Sequence, residues 1–208
     1  MTYYKLEPLV LQDKIVYNQI VGKTILHCDL NNFYASVEQK LHPEYDGMPL
    51  AVCGDPKARH GIVLAKNQLA KQAGVKTAET IWEAKQKCPE LVLVKPHFDE
   101  YVKYSKQVFE IYTSFTDRVE SFGIDECWLD VTGSEKLFGD GKTIADTIRQ
   151  TVKEKTGLTI SVGVSFTKTL AKLGSDLKKP DATTVLDEEH YMQIIGCLLY
   201  TSDAADEL

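Results

Sequence analysis

Short apolar runs along the chain have the length of strands and are bounded by glycine, proline or charged residues. They predict strands over Ile25–Leu30, Leu50–Cys53, Ile62–Ala65, Leu91–Val94, Leu158–Val164 and Thr183–Leu186. Two further runs, Val119–Gly123 and Cys127–Thr132, are separated only by Ile124-Asp125-Glu126. That spacing predicts a hairpin with an acidic tip.

Apolar residues three or four apart predict helices between these strands. Phe33, Val37 and Leu41 form one such stripe, and Asn31-Asn32 precedes it as a strand breaker and helix start. Other helices are predicted from about Asn67, from the capping box Thr80-Ile81-Trp82-Glu83, from Phe98, around Ile144-Ile148-Val152, and over Lys168–Lys178. Trp82 and Trp128 are interpreted as core anchors rather than stacking platforms.

The order of these elements predicts an α+β fold. The first strand, taken with everything from Phe98, gives the order β-α-β-β-α-β of a ferredoxin-like unit. The intervening strands and helices form a small inserted α/β unit. In the ferredoxin-like arrangement the first and third strands are neighbours, so Asp29 and Asp125 should meet at one edge of the sheet.

Asp29 and the adjacent pair Asp125-Glu126 are the strongest candidates for chemistry. Nucleotidyl transfer uses two divalent cations, one at the attacking 3′-hydroxyl and one at the triphosphate. Mg²⁺ prefers oxygen ligands, chiefly carboxylates and phosphates. An Asp-Glu pair in a turn is also common as a merely solvated turn, so spacing alone leaves both interpretations open.

Composition narrows the class of protein without fixing it. The 208 residues are 43% hydrophobic and 26% charged, as in an ordinary globular chain, and no run is long enough to cross a membrane. Five cysteines without a C-x-x-C pair or an export signal favour reduced thiols in a cytoplasm. The formal charge of −6 argues mildly against nucleic-acid binding, although basic residues gather between Lys153 and Lys179.

Three ordered segments carry a more specific pattern. They are Asp29-Leu30-Asn31-Asn32-Phe33-Tyr34-Ala35-Ser36-Val37-Glu38, then Gly123-Ile124-Asp125-Glu126-Cys127-Trp128-Leu129-Asp130, then Ser161-Val162-Gly163-Val164-Ser165 followed by Lys168, Ala171-Lys172-Leu173, Asp176 and Lys178-Lys179-Pro180-Asp181. Together they resemble the three motifs of the Y-family (translesion) DNA polymerases, with the bacterial polymerase IV type nearest. The resemblance covers roughly residues 25–195.

The resemblance implies a palm whose Asp29 and Asp125 bridge two Mg²⁺ ions, with Mn²⁺ as a substitute. Glu126 would complete the site as a catalytic acid, and the carbonyl of Leu30 would be a further metal ligand. The backbone of Asn31, Asn32, Phe33 and Tyr34 would pass along the triphosphate of the incoming dNTP, near a helix N-terminus that favours anions.

The resemblance also implies side-chain contacts to the nucleotide. Tyr34 matches the steric gate, whose ring excludes a ribose 2′-hydroxyl, although core packing is the alternative. Lys179 matches a lysine that reaches the triphosphate. In the fingers, Gln68 stands where the family usually has Tyr, and Lys71 stands where it usually has Arg. A lysine ammonium is a point charge, whereas an arginine guanidinium can bind a phosphate through two parallel hydrogen bonds. Both remain candidate nucleotide contacts.

Possible contacts to DNA follow from charge and position. Lys168 and Lys172 lie one helical turn apart and could face a DNA backbone, with a solvated helix face as the equal alternative. Arg59 could approach the template. The expected partners are primer-template DNA and dNTPs, with a sliding clamp through a part beyond this chain; no membrane partner is expected, and the chain should be a monomer.

The expected organisation is an N-terminal extension over residues 1–23, a catalytic palm over 24–30 and 98–186, fingers over 31–97, and the start of a thumb over 187–196. Residues 197–208 resemble a translated sequencing adapter, and the thumb and little finger are missing. The expected function is error-prone, template-directed DNA synthesis at damaged templates. Rival hypotheses are a catalytically weak DNA-binding accessory subunit and, less favoured, a nucleotide cyclase with a palm fold.

Overall fold

The structure is a computed structural model that describes residues 22–54, 61–189, 191–192 and 196. Arg59, nearly all of the N-terminal extension and the adapter-like tail lie outside the described residues. The strands are β1 Ile25–Leu30, β2 Leu50–Cys53, β3 Val63–Lys66, β4 Val92–Val94, β5 Val119–Ser121, β6 Glu126–Asp130, β7 Ile160–Ser165 and β8 Thr183–Leu186. The helices are α1 Phe33–Leu41, α2 Gln68–Gln72, α3 Ile81–Lys87, α4 Phe98–Thr113, α5 Glu135–Phe138, α6 Gly141–Thr156 and α7 Lys168–Leu177.

Two sheets organise the described part of the chain. The larger has the strand order β5-β6-β1-β7-β8 and the smaller has the order β3-β2-β4. In the larger sheet β1 pairs antiparallel with both β6 and β7, whereas β7 and β8 run parallel. The predicted first-to-third strand pairing is therefore confirmed, and the mixed α+β architecture is as expected from the element order.

The two faces of the larger sheet differ because side chains alternate along each strand. Leu26, Cys28 and Leu30 of β1 enter the main hydrophobic core together with residues of α4 and α6. The other face carries His27 and Asp29 of β1 and is covered by α7, where His27 Nδ1 lies 2.8 Å from Ser175 Oγ. One face therefore stabilises the fold, and the other is available for polar chemistry.

Helix α1 connects the two hydrophobic regions. Phe33 and Val37 pack into the main core, while Ala35 packs with Leu50 and Val52 of the smaller sheet. The smaller sheet also has a separate cluster around Val63, Ala70 and Ala84, among others. Consequently the inserted unit is tied to the larger sheet through α1, the helix that follows β1.

The helix ends follow the local signals in the sequence. Thr80 and Glu83 form the predicted capping box, and Gly157 ends α6 with a positive φ of 68°. Asn67 caps α2 and also accepts a 3.0 Å hydrogen bond from the Leu50 N–H, which fixes α2 against β2. Local chemistry therefore sets both the boundaries and part of the docking.

Two sequence expectations need correction. Glu126 is not in the hairpin tip but begins β6. The Phe122 N–H donates to the Glu126 carbonyl, so the turn is closed before the predicted strand start at Cys127.

Trp82 is no core anchor, since 68% of it is exposed. It lies two residues from Ala84, the buried residue of α3, and so faces nearly the opposite side of that helix. Trp128 is half-buried, and its Nε1–H donates to the Lys168 carbonyl at 3.2 Å.

Helix α7 lies unusually close to the sheet at two glycines. A Cβ added to Gly163 of β7 would lie 1.8 Å from the Ala171 carbonyl oxygen and 2.5 Å from the Ser175 nitrogen. Gly174 meets Gly163 from the helix side, with 3.2 Å between its added Cβ and the Gly163 Cα. Because the conflicting atoms at Gly163 are backbone, the helix itself would have to move.

We predict that Gly163→Ala lowers the free energy of unfolding by about 3 kcal/mol, the upper end of ordinary overpacking costs. Urea denaturation measures this change. Gly133→Ala is the matched control, because nothing lies within 4 Å of its added Cβ. A Gly163→Ala protein as stable as the control would contradict the close approach of α7.

Candidate active site

Strand periodicity places Asp29 and Glu126 on the face that α7 covers. In the register of β1 and β6, Asp29 lies opposite Glu126 and His27 lies opposite Trp128. The Leu30 N–H donates to the Asp125 carbonyl at 3.0 Å, which draws the hairpin tip against the end of β1. Residues about 100 positions apart in sequence thus meet at one sheet edge.

A cavity of about 390 Å³ opens above this edge. It is lined by the three carboxylates, by the start of α1, by part of the smaller sheet and by three lysines, namely Asp29, Leu30, Asn32, Phe33, Tyr34, Leu64, Ala65, Lys66, Lys71, Thr77, Asp125, Glu126 and Lys179. A smaller adjoining cavity of about 230 Å³ adds Asn31, Gln68 and Pro180. Both sheets therefore contribute to one concave, polar site.

Asp29 is the most deeply placed of the acids, with 7% of the residue exposed. Its Oδ2 accepts a 2.6 Å hydrogen bond from Lys179 Nζ. Burial raises the pKa of Asp29 to about 6, Lys179 partly opposes that rise, and Glu126 and Asp125 add to it. The charged form of Asp29 is therefore costly unless positive charge is close.

The pKa values of Asp125 and Glu126 are shifted in opposite directions. Burial, followed by repulsion from Glu126, raises the pKa of Asp125. Burial would also raise the pKa of Glu126, but Lys172, with Nζ 2.5 Å from Glu126 Oε2, holds it below its ordinary value. His27 Nε2 lies 3.4 Å from the same oxygen, and burial lowers the pKa of His27 to about 4. Glu126 is therefore the more readily ionised acid.

The three carboxylates converge on the cavity without forming a single tight cluster. Among the described residues, one group of three potential metal ligands has atoms that all lie within 4.8 Å of one another. That group is Glu38, His42 and His97, and it does not include the three carboxylates. Asp29 is instead drawn toward Lys179 and Glu126 toward Lys172. The site nevertheless offers only oxygen ligands, and the pKa values of Asp29 and Asp125 are both raised. Such a site fits a hard divalent cation, because positive charge would relieve the repulsion between the carboxylates.

The first turn of α1 lies beside the acids. Asn32, its N-cap, has a left-handed backbone with φ 49° and offers no side-chain cap to the helix. The first N–H groups of a helix have no partner within the helix, so they are available to an anion. The Asn31 side chain is already used, because it donates to Ser161 and accepts from the Asp181 N–H, each at 2.8 Å. The Asn31 backbone is used as well, because its N–H donates to the Thr159 carbonyl at 2.9 Å and its carbonyl accepts from Ser36 Oγ at 2.9 Å. A substrate contact at Asn31 therefore stays a prediction.

Tyr34 borders the cavity and also packs against aromatic neighbours, while its role as a steric gate stays a prediction. Its ring stacks on Tyr101 with centroids 4.3 Å apart and planes inclined by 12°. Phe98 meets the Tyr34 ring edge-on at 6.0 Å. The stack holds the Tyr34 ring in one orientation at the cavity wall.

Five polar residues around the two cavities come from several parts of the chain. Lys71 borders both cavities, Gln68 borders only the smaller one, and Lys179 reaches both from beyond α7. Lys66 and Thr77 were not among the sequence candidates, yet both line the larger cavity and Lys66 Nζ lies 2.8 Å from Thr77 Oγ1. Burial lowers the pKa of Lys66, and neighbouring Lys71 lowers it further. The signal for Lys66 was its place at the end of a strand, five residues before Lys71.

The two lysines expected to face DNA have different surroundings. Lys172 pairs with Glu126 and also lies 5.1 Å from the centre of the Phe122 ring. Lys168 pairs with Glu120 and lies 5.3 Å from the Trp128 ring. Lys172 thus belongs to the acidic site itself, whereas Lys168 lies on the surface outside it.

Among the residues that the structure describes, none of the helices has the length and apolar character of a membrane span.

Comparisons with known proteins show the family of the chain. A model of the impB/mucB/samB family matches residues 28–176. The chain is 58% identical over 187 residues to DNA polymerase IV of Acetivibrio thermocellus, covering 88% of this chain and 47% of that protein. It is 43% identical over 178 residues to DNA polymerase IV 2 of Halalkalibacterium halodurans, covering 84% and 44% respectively.

Solved structures give the same result. A Y-family DNA polymerase chimera of Dbh and Dpo4 superposes with a TM-score of 0.76 at 33% identity, covering 80% of this chain and 49% of that chain. DinB from Sulfolobus solfataricus superposes with a TM-score of 0.73 at 32% identity, with the same coverage. The chain spans about half the length of the relatives it matches.

The raised pKa of Asp29 predicts a pH-dependent cost to folding. The folded protein binds the Asp29 proton more tightly than the unfolded chain does, because the pKa is about 6 in the folded protein and 3.8 for an ordinary aspartate. Below pH 4 Asp29 is neutral in both states and costs nothing. As the pH rises through 6 stability is lost, by up to about 3 kcal/mol at 1.36 kcal/mol per pKa unit.

We therefore predict that Asp29→Asn stabilises the chain at pH 8 and has little effect at pH 4. Urea denaturation in the presence of a chelator, at both values of pH, measures the difference. Asp117→Asn is the control, since Asp117 is exposed. Equal effects of Asp29→Asn at the two pH values would show that the site does not penalise the carboxylate.

Proposed function

This chain belongs to the impB/mucB/samB family of Y-family DNA polymerases, and from that premise we propose that it carries the catalytic half of a template-directed DNA polymerase. The observation that supports this most strongly is the convergence of Asp29, Asp125 and Glu126 on one cavity. The same cavity holds an uncapped helix N-terminus and lysines suited to a triphosphate. The proposed reaction is addition of a dNTP to the 3′ end of a primer, in an error-prone, lesion-tolerant mode.

The proposed cofactor is a pair of divalent cations, Mg²⁺ by preference and Mn²⁺ as a substitute. Asp29 and Asp125 would hold both ions, and Glu126 with the Leu30 carbonyl would complete the ligand set. When bound, the ions supply positive charge to the triphosphate and favour deprotonation of the 3′-hydroxyl. Lys172 would then exchange its pairing with Glu126 for a neighbouring anion, which its side chain, 36% exposed, permits.

The chain's own residues would bind the triphosphate from two sides. The free N–H groups at the start of α1 would meet phosphate oxygens from the palm side. Lys71 of α2 and Lys66 of β3 would meet them from the opposite side, while Lys179 approaches from beyond α7. Gln68 would add a neutral hydrogen bond at the rim of the smaller cavity.

Tyr34 would act as the steric gate. Its ring is held by the stack on Tyr101 rather than by a flexible surface loop. A rigid ring at the sugar would discriminate by clash, because it cannot move aside for a 2′-hydroxyl.

The remaining proposals concern the whole protein. Residues 24–30 and 98–186 would form the palm, residues 31–97 the fingers, and residues 187–196 the start of a thumb. Primer-template DNA would be gripped largely by parts beyond this chain, with Lys168, Lys172 and Arg59 as additional contacts. A sliding clamp as partner, a monomeric state and a cytoplasmic location are proposed on the same basis.

We predict that the chain extends a primer by one templated dNTP with Mg²⁺ at low salt. Added salt should suppress this activity, because it weakens every contact to a DNA phosphate and the affinity of this half for DNA is low at the outset. Asp125→Asn should reduce the rate by about 100-fold or more, as removal of a key electrostatic group does. Single-turnover extension of a labelled primer measures both effects.

Asp117→Asn, an exposed change of the same chemistry, should leave extension unchanged. Formation of a cyclic nucleotide from ATP or GTP without DNA, and no extension, would instead favour a cyclase. Extension unaffected by Asp125→Asn would refute the assigned site.

We predict that Tyr34→Ala lowers the preference for dNTP over rNTP by about 10- to 200-fold, the range for a pocket that discriminates by one small group. Tyr34→Phe retains the ring and should keep the preference. The ratio of kcat/KM values for a matched dNTP and rNTP measures the effect. An unchanged ratio in Tyr34→Ala would remove Tyr34 from the gate.

A further inference from the structure

A second polar cluster lies away from the acidic cavity, where the end of α1 meets the start of α4. Glu38 and His42 are four residues apart, so they share one side of the helix end. His97 directly precedes α4. One ligand atom from each of Glu38, His42 and His97 lies within 4.8 Å of the other two.

The carboxylate of Glu38 is fully buried. The side chain has no exposed surface. Tyr101 Oη–H donates to it, and the His97 backbone N–H donates at 3.2 Å. Within the described residues its one ion-pair partner is His97, whose imidazole is charged only when protonated. A buried carboxylate without a permanent cation is costly, so the position calls for positive charge.

The spacing of the atoms suits a metal ion. His97 Nδ1 lies 3.1 Å from Glu38 Oε1 and 3.0 Å from Oε2. Ligand atoms at 2.0–2.1 Å from a tetrahedral ion are roughly 3.3–3.4 Å from one another. Small side-chain shifts would therefore open a coordination position between Glu38 and His97, with His42 completing three ligands.

Glu44 orients the second histidine in the manner of an outer-shell group. Glu44 Oε1 lies 3.1 Å from His42 Nδ1. A carboxylate on one ring nitrogen commonly fixes the tautomer of a metal-bound histidine and leaves the other nitrogen to bind. His42 would thus bind through Nε2, whereas His97 would bind through Nδ1.

We propose that Glu38, His42 and His97 form a binding site for a divalent transition-metal ion of the Zn²⁺ class. Two imidazoles and one carboxylate suit such an ion better than Mg²⁺, which prefers oxygen ligands. The His42 and His97 side chains are 35% and 50% exposed, so the ion has a path from solvent. Three protein ligands leave a fourth position for water.

The test uses the 208-residue chain, free of any affinity tag, carrying Asp29→Asn and Asp125→Asn so that the acidic cavity does not compete. Co²⁺ serves as the spectroscopic probe and Zn²⁺ as the competitor, both in excess Mg²⁺. We expect one equivalent of Co²⁺ to bind with the intense visible absorption of four-coordinate cobalt, and Zn²⁺ to displace it.

His42→Ala and His97→Ala should each abolish that absorption and weaken Zn²⁺ binding by more than the roughly 10–100-fold that outer-shell changes cost. Glu44→Gln should weaken Zn²⁺ binding by about 10-fold. Glu110→Gln, an exposed change on α4, should have no effect. Because both histidines are partly exposed, their variants should fold, and far-ultraviolet circular dichroism checks this.

Three results would overturn the proposal. One is Co²⁺ binding that survives loss of both histidines. Another is the absence of any equivalent that binds in excess Mg²⁺. The third is an imidazole of His97 that, without metal, stays protonated at pH values well above those usual for histidine. The positive partner of Glu38 would then be the imidazolium of His97 rather than a metal ion. None of these depends on polymerase activity, so the polymerase proposal is tested separately.

Discussion

The antiparallel pairing of β1 with β6 is the constraint on which the acidic site depends. It places Asp29 opposite Glu126 and draws Asp125 against the end of β1. Since the side-chain period of a strand is two, a slip of one residue would turn Asp29 into the hydrophobic core and Cys28 toward the cavity. The fully buried Leu26 and Cys28 oppose such a slip, so the core that stabilises the sheet also fixes the position of the acids.

The electrostatics of the site follow from that fixed position. Burial and mutual repulsion raise the pKa of Asp29 and of Asp125, which makes the ionised site unfavourable by itself. Lys179 and Lys172 supply compensating charge, and both come from the chain segment that contains α7. The close approach of α7 at Gly163 is therefore an electrostatic requirement as well as a packing feature, because it brings Lys172 to Glu126.

Much of this arrangement could be predicted from the sequence, and the exceptions have physical causes. The carboxylates were found because strand ends and hairpin tips are local signals, and the order of elements implied which strands are neighbours. Lys66 was missed because its role depends on how the smaller sheet is oriented over the larger one, which no local pattern encodes. Trp82 was misplaced because a large aromatic residue on a short helix can lie on either face. Glu126 was assigned to a turn because a single backbone hydrogen bond decides where a strand begins.

Helix α1 links the two clusters of titratable residues. Its first turn borders the acidic cavity and bears Tyr34, and its last turn bears Glu38. Tyr101 of α4 connects these positions, since its hydroxyl donates to Glu38 while its ring stacks on Tyr34. The same aromatic residue therefore contacts both the buried carboxylate and the ring of the proposed gate. The ring that supports the proposed gate is thus anchored from outside the cavity, by the hydrogen bond of Tyr101 to the buried Glu38 carboxylate.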